Sequence, residues 1–316
     1  MKAHTKFAGK DSVTHLYDLL ESRLGYKLVL KDARHYGFYQ DENQWSIPVE
    51  PRLRAMEERL FNILDLPMGT KVIDVGCGAG RVAATMAKKG LYVTGLDLVD
   101  HHVESARKHA VASGVQDLVS FRQGDYHDLK SVEDSSMDGA YAIETVAHSH
   151  DPQTVFNEMF RVLKPGGHIA IHEYNILDPK DISDHAVPFF ERRKKYNFLP
   201  IPGTKGKRGI SKEMELLNFW KDLQDLSLMP ACGLWTPGAM AAQLEKAGFV
   251  DIEVRDYTEN IVPLMRLFFQ LAYVPYLFIA LFGLQKHFPN ATCAVYSWWA
   301  KGLWRYAAVS ARKPGI

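Results

Sequence analysis

The sequence predicts a doubly wound α/β fold, in which helices cover both faces of a mostly parallel β-sheet. Between residues 71 and 178, short apolar runs of strand length alternate with stretches long enough for helices of about 10 to 15 residues. The first four of these runs lead into a carboxylate or a glycine. Ligands in such sheets bind beyond the carboxyl ends of the strands, so we expect a binding site where these runs end.

The residues before this alternation, 1–66, are predicted to form a helical N-terminal cap. Leu16, Leu19, Leu20 and Leu24 recur near helical spacing. A second helix is expected from Pro51 to Leu64, because proline is favoured in the first turn of a helix.

The first strand ends in a glycine-rich turn, since residues 71–80 read Lys-Val-Ile-Asp-Val-Gly-Cys-Gly-Ala-Gly. Such a turn is weak evidence alone, because any tight connection from strand to helix can use glycine. The second strand, residues 91–97, ends at Asp97, roughly 20 residues after the first glycine, where a nucleoside ribose needs a hydrogen-bond acceptor. We therefore predict Asp97 as the ribose ligand, with Leu98 beside it.

Two further strands lead to polar corners. Residues 121–125 end at Gly124 and Asp125, followed by Tyr126, a combination that suits an exocyclic adenine amine beside an aromatic ring. The fourth strand, residues 137–143, ends at Glu144. After a helix, Leu-Lys-Pro-Gly-Gly at 163–167 is predicted to turn into a fifth strand at 168–172.

This succession resembles the class I S-adenosylmethionine-dependent methyltransferases, with their first motif at residues 74–80. The resemblance implies a Rossmann-like seven-stranded sheet whose last strand is antiparallel, and S-adenosylmethionine as the cofactor. Asp74 would hold the ammonium side of the cofactor's methionine. The turn would press against the methionine portion through Gly76, Cys77, Gly78 and Gly80.

Two blocks resemble the sterol C-methyltransferases: residues 141–148, Tyr-Ala-Ile-Glu-Thr-Val-Ala-His, and residues 172–178, His-Glu-Tyr-Asn-Ile-Leu-Asp. The resemblance implies methyl addition to an alkene, formation of a carbocation and removal of a proton. Glu144 and His148 are predicted as the base or its orienting partner, Glu144 also contacts the cofactor, and Glu173 is a further catalytic candidate. The rings expected to stabilise the cation are those of Tyr36, Phe38, Tyr39 and Tyr174.

Several alternatives stay open. Glu144 is also explained as a helix cap, and His148 as a donor to a backbone carbonyl. An O- or N-methyltransferase of a lipophilic phenol, polyketide or alkaloid would use His148 or His150 as a general base. A third alternative is a protein that binds the cofactor without methyl transfer, including an enzyme that uses it only as an electrostatic element. No metal is expected, because the histidines and carboxylates lack compact ligand spacing.

The chain after residue 178 is predicted in four parts. Residues 179–235 form an inserted, basic segment expected to be a solvated loop. Residues 236–260 supply a core helix from Thr236 to Lys246 and a strand at 249–254. Residues 261–304 form an apolar, aromatic substrate cap, and residues 305–316 hold the final strand.

Composition narrows the partners. The formal net charge is +1, from 38 basic and 37 acidic residues, so a nucleic-acid substrate is not expected. Three scattered cysteines and an N-terminus without an apolar signal region favour a cytoplasmic protein. The cap composition predicts a lipophilic small-molecule substrate. The uncharged stretch 267–284 predicts a buried or interfacial helix pair, with peripheral membrane contact through 261–304.

Overall fold

The computed structural model describes residues 27–176, 211–233 and 238–315, together with positions 16, 25, 189–191, 194–195, 235 and 236. The strands are β1 (Lys71–Val75), β2 (Tyr92–Asp97), β3 (Val119–Gln123), β4 (Met137–Ile143), β5 (Leu163–Ile176), β6 (Val250–Asp256) and β7 (Trp304–Arg312). The α-helices are α1 (Glu50–Leu64), α2 (Arg81–Lys88), α3 (Asp100–Ala112), α4 (Pro152–Val162), α5 (Lys212–Ser227), α6 (Ala239–Ala247), α7 (Thr258–Leu281) and α8 (Pro289–Trp299).

The strands form one seven-stranded sheet in the order β3-β2-β1-β4-β5-β7-β6. Strands β1 to β5 are parallel, whereas β7 lies between β5 and β6 and is antiparallel to both. The predicted fold class is therefore confirmed, including the antiparallel last strand.

Helices pack on both faces of the sheet, because successive side chains of each strand point to opposite faces. On one face, Val72 and Tyr141 belong to a core that includes residues of α1, α2, α3, α7 and α8. On the other face, Ile73 and Ile171 pack with residues of α4 and α6. The sheet ends that carry the predicted site residues are thus held between two buried layers.

Two predicted elements differ from the structure. The expected Leu-Lys-Pro-Gly-Gly turn at 163–167 is already part of β5, where Gly166 has a φ of 77°. Within the segment expected to be a solvated loop, residues 212–227 form α5, whose N-cap Ser211 accepts a hydrogen bond from the Met214 N–H. The loop prediction is wrong for these residues because Leu216, Phe219 and Leu223 of α5 are buried in the core. The basic residues 192–193 and 202–209 lie outside the described residues.

The predicted helix at 51–64 corresponds to α1, whereas most of the predicted N-terminal leucine helix lies outside the described residues. The stretch 267–284 falls largely in α7, which pairs with α8. Among the described helices, α7 alone has the length and apolar composition of a membrane span, and 33% of the 18-residue apolar segment within it is buried. The division of the chain into cap, core and insertions stays a prediction.

Candidate active site

A cavity of about 340 Å³ lies at the carboxyl ends of β1, β2 and β4. The turn after β1 reaches it with an unusual backbone, because Gly76 has a φ of 82°. A Cβ atom built on Gly76 would lie 2.0 Å from Oγ1 of Thr145, so this position has no room for a side chain. The turn therefore brings main-chain atoms to the wall of the cavity.

Asp74 supplies a buried acceptor to this cavity. Its side chain is 1% exposed and lies beside the hydroxyl of Tyr141. Burial raises the pKa of Asp74 to about 8, and the nearby charge of Asp97 acts in the same direction. Ionisation of a buried carboxyl group is costly, and a cationic donor bound in this cavity would offset that cost.

Two more carboxylates lie at the ends of neighbouring strands, each paired with a histidine. Asp97 accepts hydrogen bonds from the N–H groups of Gly78 (2.8 Å) and Val99 (2.9 Å), and its Oδ1 lies 3.0 Å from Nδ1 of His102. These interactions lower the pKa of Asp97 despite its burial. Asp125 pairs with His127 at 2.6 Å, which lowers the pKa of Asp125 to about 2.

Most of the predicted cofactor residues meet at this cavity. Its wall includes Asp74, Gly76, Cys77, Gly78, Asp97, Leu98, Asp125, Tyr126 and Glu144. Gly80 and Gly124 are not among the lining residues. A Cβ atom on Gly80 would lie 2.7 Å from that of Ala106, and one on Gly124 would lie 2.6 Å from Leu96, so both allow close packing instead.

A larger, mainly apolar chamber of about 710 Å³ lies beside the cofactor cavity. Its walls come from α5, α7, α8 and the N-terminal residues, and include Trp220, Phe268, Ile279, Ala294 and Trp304. Four residues line both spaces: Arg34, His35, Glu144 and His148. We call these four residues the junction, because the two spaces meet there.

Glu144 is held in place at the junction by three donors. Its Oε1 accepts from the N–H of Tyr36 at 2.6 Å and from the hydroxyl of Tyr306 at 2.7 Å, and its Oε2 accepts from the hydroxyl of Tyr174. Burial raises the pKa of Glu144, although these hydrogen bonds oppose the change. The residue has a φ of 51°, a left-handed conformation that a residue with a side chain adopts at a cost.

His148 follows in a 3₁₀ turn, Val146–His148. Its Nδ1 lies 2.8 Å from the carbonyl oxygen of Leu228. Because a carbonyl only accepts, Nδ1 carries the proton, and Nε2 of the neutral ring has a lone pair. Burial lowers the pKa of His148, which favours that neutral form. The backbone-carbonyl alternative and the role of a base are therefore compatible.

Three of the other predicted residues, Tyr39, Glu173 and Phe38, line neither cavity. Tyr39 is fully buried and donates to the carbonyl of Ser46 at 2.6 Å. Glu173 is also fully buried and accepts from the N–H of Ala147 at 3.0 Å, so it fixes the 3₁₀ turn that carries His148. Tyr36 and Tyr174 line the chamber, whereas Phe38 does not.

Among the described residues, no group of three or more potential ligands has the arrangement of a metal site. The ring of His150 packs against that of His127 at 4.2 Å between centroids, and His172 lies fully buried against Tyr257 and Tyr306. Burial lowers the pKa of His172 to about 3, so its ring is neutral.

Sequence reasoning missed several residues that line the two spaces or contact the residues that do. His102 and His127 were detectable, because each follows a predicted carboxylate at short spacing. Arg34 and Tyr306 had no local signal, since they reach the site from distant parts of the chain.

Comparisons with known proteins identify the family. A sequence profile described as a methyltransferase domain matches residues 73–171. The S-adenosyl-L-methionine-dependent Diels-Alderase iccD of Talaromyces variabilis is 33% identical over 308 residues, which are 97% of this chain and 96% of that protein. The chain belongs to the class I S-adenosylmethionine-dependent methyltransferases.

Other members of the methyltransferase family differ in how far they match. The sterol 24-C-methyltransferase erg6 of Aspergillus fumigatus is 38% identical over 136 residues, 42% of this chain and 36% of that protein. Among solved structures, the [4+2]-cyclase SpnF has a TM-score of 0.69 at 20% identity and covers 97% of both chains. This likeness supports the methyltransferase fold.

The cofactor of this methyltransferase is S-adenosylmethionine, and the cavity fits it. The buried carboxyl group of Asp74 at the cavity wall suits an ammonium group, and the absence of a side chain at Gly76 allows close approach to the main chain. Carboxylates at the ends of β2 and β3 provide acceptors for the hydroxyl and amine groups of a nucleoside.

Proposed function

We propose that the protein is an S-adenosylmethionine-dependent enzyme that closes a lipophilic polyene by intramolecular [4+2] cycloaddition in the chamber. The observation that carries this proposal is the extent of similarity. The Diels-Alderase iccD matches 97% of the chain, which includes the helices that wall the chamber. The sterol C-methyltransferase erg6 matches 42% of the chain.

The chamber suits such a reaction physically. In a [4+2] cycloaddition three π bonds become two new carbon–carbon σ bonds and one π bond, and no proton or leaving group is transferred. The enzyme must therefore fold a flexible chain so that diene and alkene meet, and keep it folded. A concave, mostly apolar chamber of about 710 Å³ is suited to hold such a chain in a folded conformation.

The junction supplies polarity at one end of the chamber. Arg34 lines both spaces with a guanidinium group, which donates hydrogen bonds and accepts none. A donor of this kind would stabilise negative charge that develops on a carbonyl conjugated with the reacting alkene. Glu144, fixed by Tyr174 and Tyr306, keeps a carboxyl group at the same place.

When bound, S-adenosylmethionine supplies a positively charged sulfur and a transferable methyl group. We assign Asp74 and the glycine-rich turn to its methionine portion, Asp97 to the ribose, and Asp125 with Tyr126 to the adenine. Each of these residues except Gly80 lines the cavity.

C-methylation of a sterol, terpenoid or prenylated alkene is the second candidate. The tautomer of His148 favours it, because Nε2 is the basic nitrogen and His148 lines both spaces. That nitrogen would remove the proton after methyl addition, while the rings of Tyr36 and Tyr174 stabilise the cation. O- or N-methylation of a lipophilic phenol, polyketide or alkaloid would use the same base.

One experiment separates these reactions. The purified protein is incubated with a lipophilic extract of its source cells and cofactor bearing a carbon-13 methyl group, and products are followed by liquid chromatography and mass spectrometry. Cycloaddition gives a product of the same mass as its substrate, with the label still on the cofactor. A product that contains the labelled methyl group refutes the first proposal, and the carbon-13 shift identifies the methylated atom.

A pair of variants tests the chamber. Ala294→Phe fills space on α8 inside the chamber, whereas Ala112→Phe places the same side chain on the exposed end of α3. We expect the first variant to lose turnover while it still binds cofactor, and the second to keep both. Full turnover by Ala294→Phe would contradict catalysis in the chamber.

A further inference from the structure

The second half of α7 exposes a row of large apolar side chains. Leu271, Val274, Phe278, Leu281 and Phe282 are between 54% and 70% exposed. Their spacing of three, four, three and one residues places them along one side of the helix. We call these five residues the α7 stripe. Single exposed apolar residues are common on proteins, but a continuous row of this kind indicates an interaction surface.

The α7 stripe is continuous with the chamber. Leu271 and Phe278 are exposed and also line the chamber, as does Phe288, which is 39% exposed. The stripe therefore borders the place where the apolar chamber meets the protein surface. A lipophilic molecule reaching the chamber through this border crosses apolar side chains throughout.

The charges around the stripe favour an anionic partner. The sequence has no Asp or Glu between residues 260 and 316. Lys286 and His287 belong to the 3₁₀ turn Gln285–His287, which is separated from the end of α7 by three residues. Asp222 of α5 lies within electrostatic range of Lys286 and offsets part of that charge.

The opposite side of α7 is committed to the protein core. Phe269, Tyr276 and Ala280 lie on this side and are at most 6% exposed. A helix with one side fixed in the core cannot cross a bilayer without unfolding that core, so contact with a lipid surface must be lateral.

We propose that the α7 stripe docks on the surface of an anionic lipid bilayer, with Leu271, Phe278 and Phe288 opening the chamber towards the lipid. Apolar side chains enter the boundary between headgroups and acyl chains, while Lys286 faces the headgroups. Such contact is peripheral and reversible. This inference does not depend on which reaction the chamber catalyses.

The test is flotation of the purified full chain with phosphatidylcholine vesicles that do or do not contain phosphatidylserine. The test variant is Val274→Asp with Leu281→Asp, two stripe positions that do not line the chamber and are 59% and 61% exposed. The matched control is Val111→Asp with Val254→Asp, at 67% and 53% exposure on other surfaces. Circular dichroism and thermal melting verify that both variants fold.

We expect binding to phosphatidylserine vesicles by the native chain and the control variant, and at least a tenfold loss in the stripe variant. Lys286→Gln should weaken binding to phosphatidylserine-containing vesicles about fivefold and leave binding to pure phosphatidylcholine vesicles unchanged. Absence of vesicle binding by the native chain, or equal binding by the stripe and control variants, overturns the proposal. A native dimer that the stripe variant converts to monomer in sedimentation equilibrium also overturns it, since the stripe then binds a second copy.

Discussion

Replacement of Gly76 by alanine should introduce two costs in folding free energy that glycine avoids at this position. The φ of 82° costs a residue with a Cβ atom roughly 1–2 kcal/mol. The new Cβ atom would also lie 2.0 Å from Oγ1 of Thr145, and overpacking of this kind costs about 1–3 kcal/mol. We therefore expect Gly76→Ala to lower the free energy of unfolding by roughly 2–5 kcal/mol.

The chain offers matched controls for both terms. Gly114 has a φ of 68°, and nothing lies within 4 Å of a Cβ atom built on it, so Gly114→Ala should cost only the backbone term. In a Thr145→Gly background, where the overlap with Thr145 side-chain atoms is gone, Gly76→Ala should cost about as much as Gly114→Ala. This double-mutant cycle isolates the contact between the two residues.

Urea unfolding measures these free energies, and titration calorimetry measures cofactor affinity. Displacement of Thr145, which also lines the cavity, should weaken S-adenosylmethionine binding at least tenfold in Gly76→Ala. The reasoning is refuted if Gly76→Ala and Gly114→Ala cost the same in the native background, or if Thr145→Gly leaves the cost of Gly76→Ala unchanged.

Asp74→Asn should weaken cofactor binding at least tenfold in calorimetry, because it replaces a carboxylate that can carry negative charge by a neutral amide, one of whose two polar atoms is a donor. An unchanged affinity would exclude the ammonium-binding role. Burial raises the pKa of Glu173 from 4.5 to about 8. Between these pH values the folded protein keeps a proton that the unfolded chain loses, so the free energy of unfolding should fall as the pH rises from 4.5 to about 8. Glu173→Gln should reduce that fall in urea unfolding between pH 5 and pH 9, and an unaltered pH dependence would count against it. Tyr306→Phe removes a donor to the Glu144 carboxylate and should lower the free energy of unfolding in urea by about 1.5–3 kcal/mol. Tyr39→Phe removes a hydroxyl that donates to a neutral carbonyl and should lower it by about 0.5–1.5 kcal/mol. Equal costs would mean that Glu144 accepts from Tyr306 in its uncharged form.

Local sequence patterns were sufficient for the parallel part of the sheet. Each strand is a short apolar run bounded by turn residues, and β4 has the same bounds as predicted, Met137–Ile143. Because the carboxyl ends of parallel strands lie at one edge of the sheet, the sequence alone was enough to predict that Asp74, Asp97 and Asp125 lie close together. Helix α5 had a usable signal as well, since Leu216, Phe219 and Leu223 follow helical spacing, but the basic composition of its neighbours obscured it.

The junction was beyond such reasoning. Tyr36 and Tyr306 donate to Glu144 across separations of 108 and 162 residues, and no local pattern encodes which distant side chains will meet. The same holds for Tyr39 and Glu173, which were predicted as catalytic candidates. Their burial behind the cavity walls depends on packing that the motif does not describe.

The position of β7 has a consequence for how the protein is made. This strand inserts between β5 and β6 and carries Tyr306, so the sheet and the hydrogen bonds to Glu144 stay incomplete until residues 304–312 have left the ribosome. Until then the edge of β5 exposes unpaired backbone groups, the kind of edge that invites aggregation. The sheet is therefore closed, and the set of donors to Glu144 completed, only after residues 304–312 have been made, and a chain truncated before Trp304 should have neither.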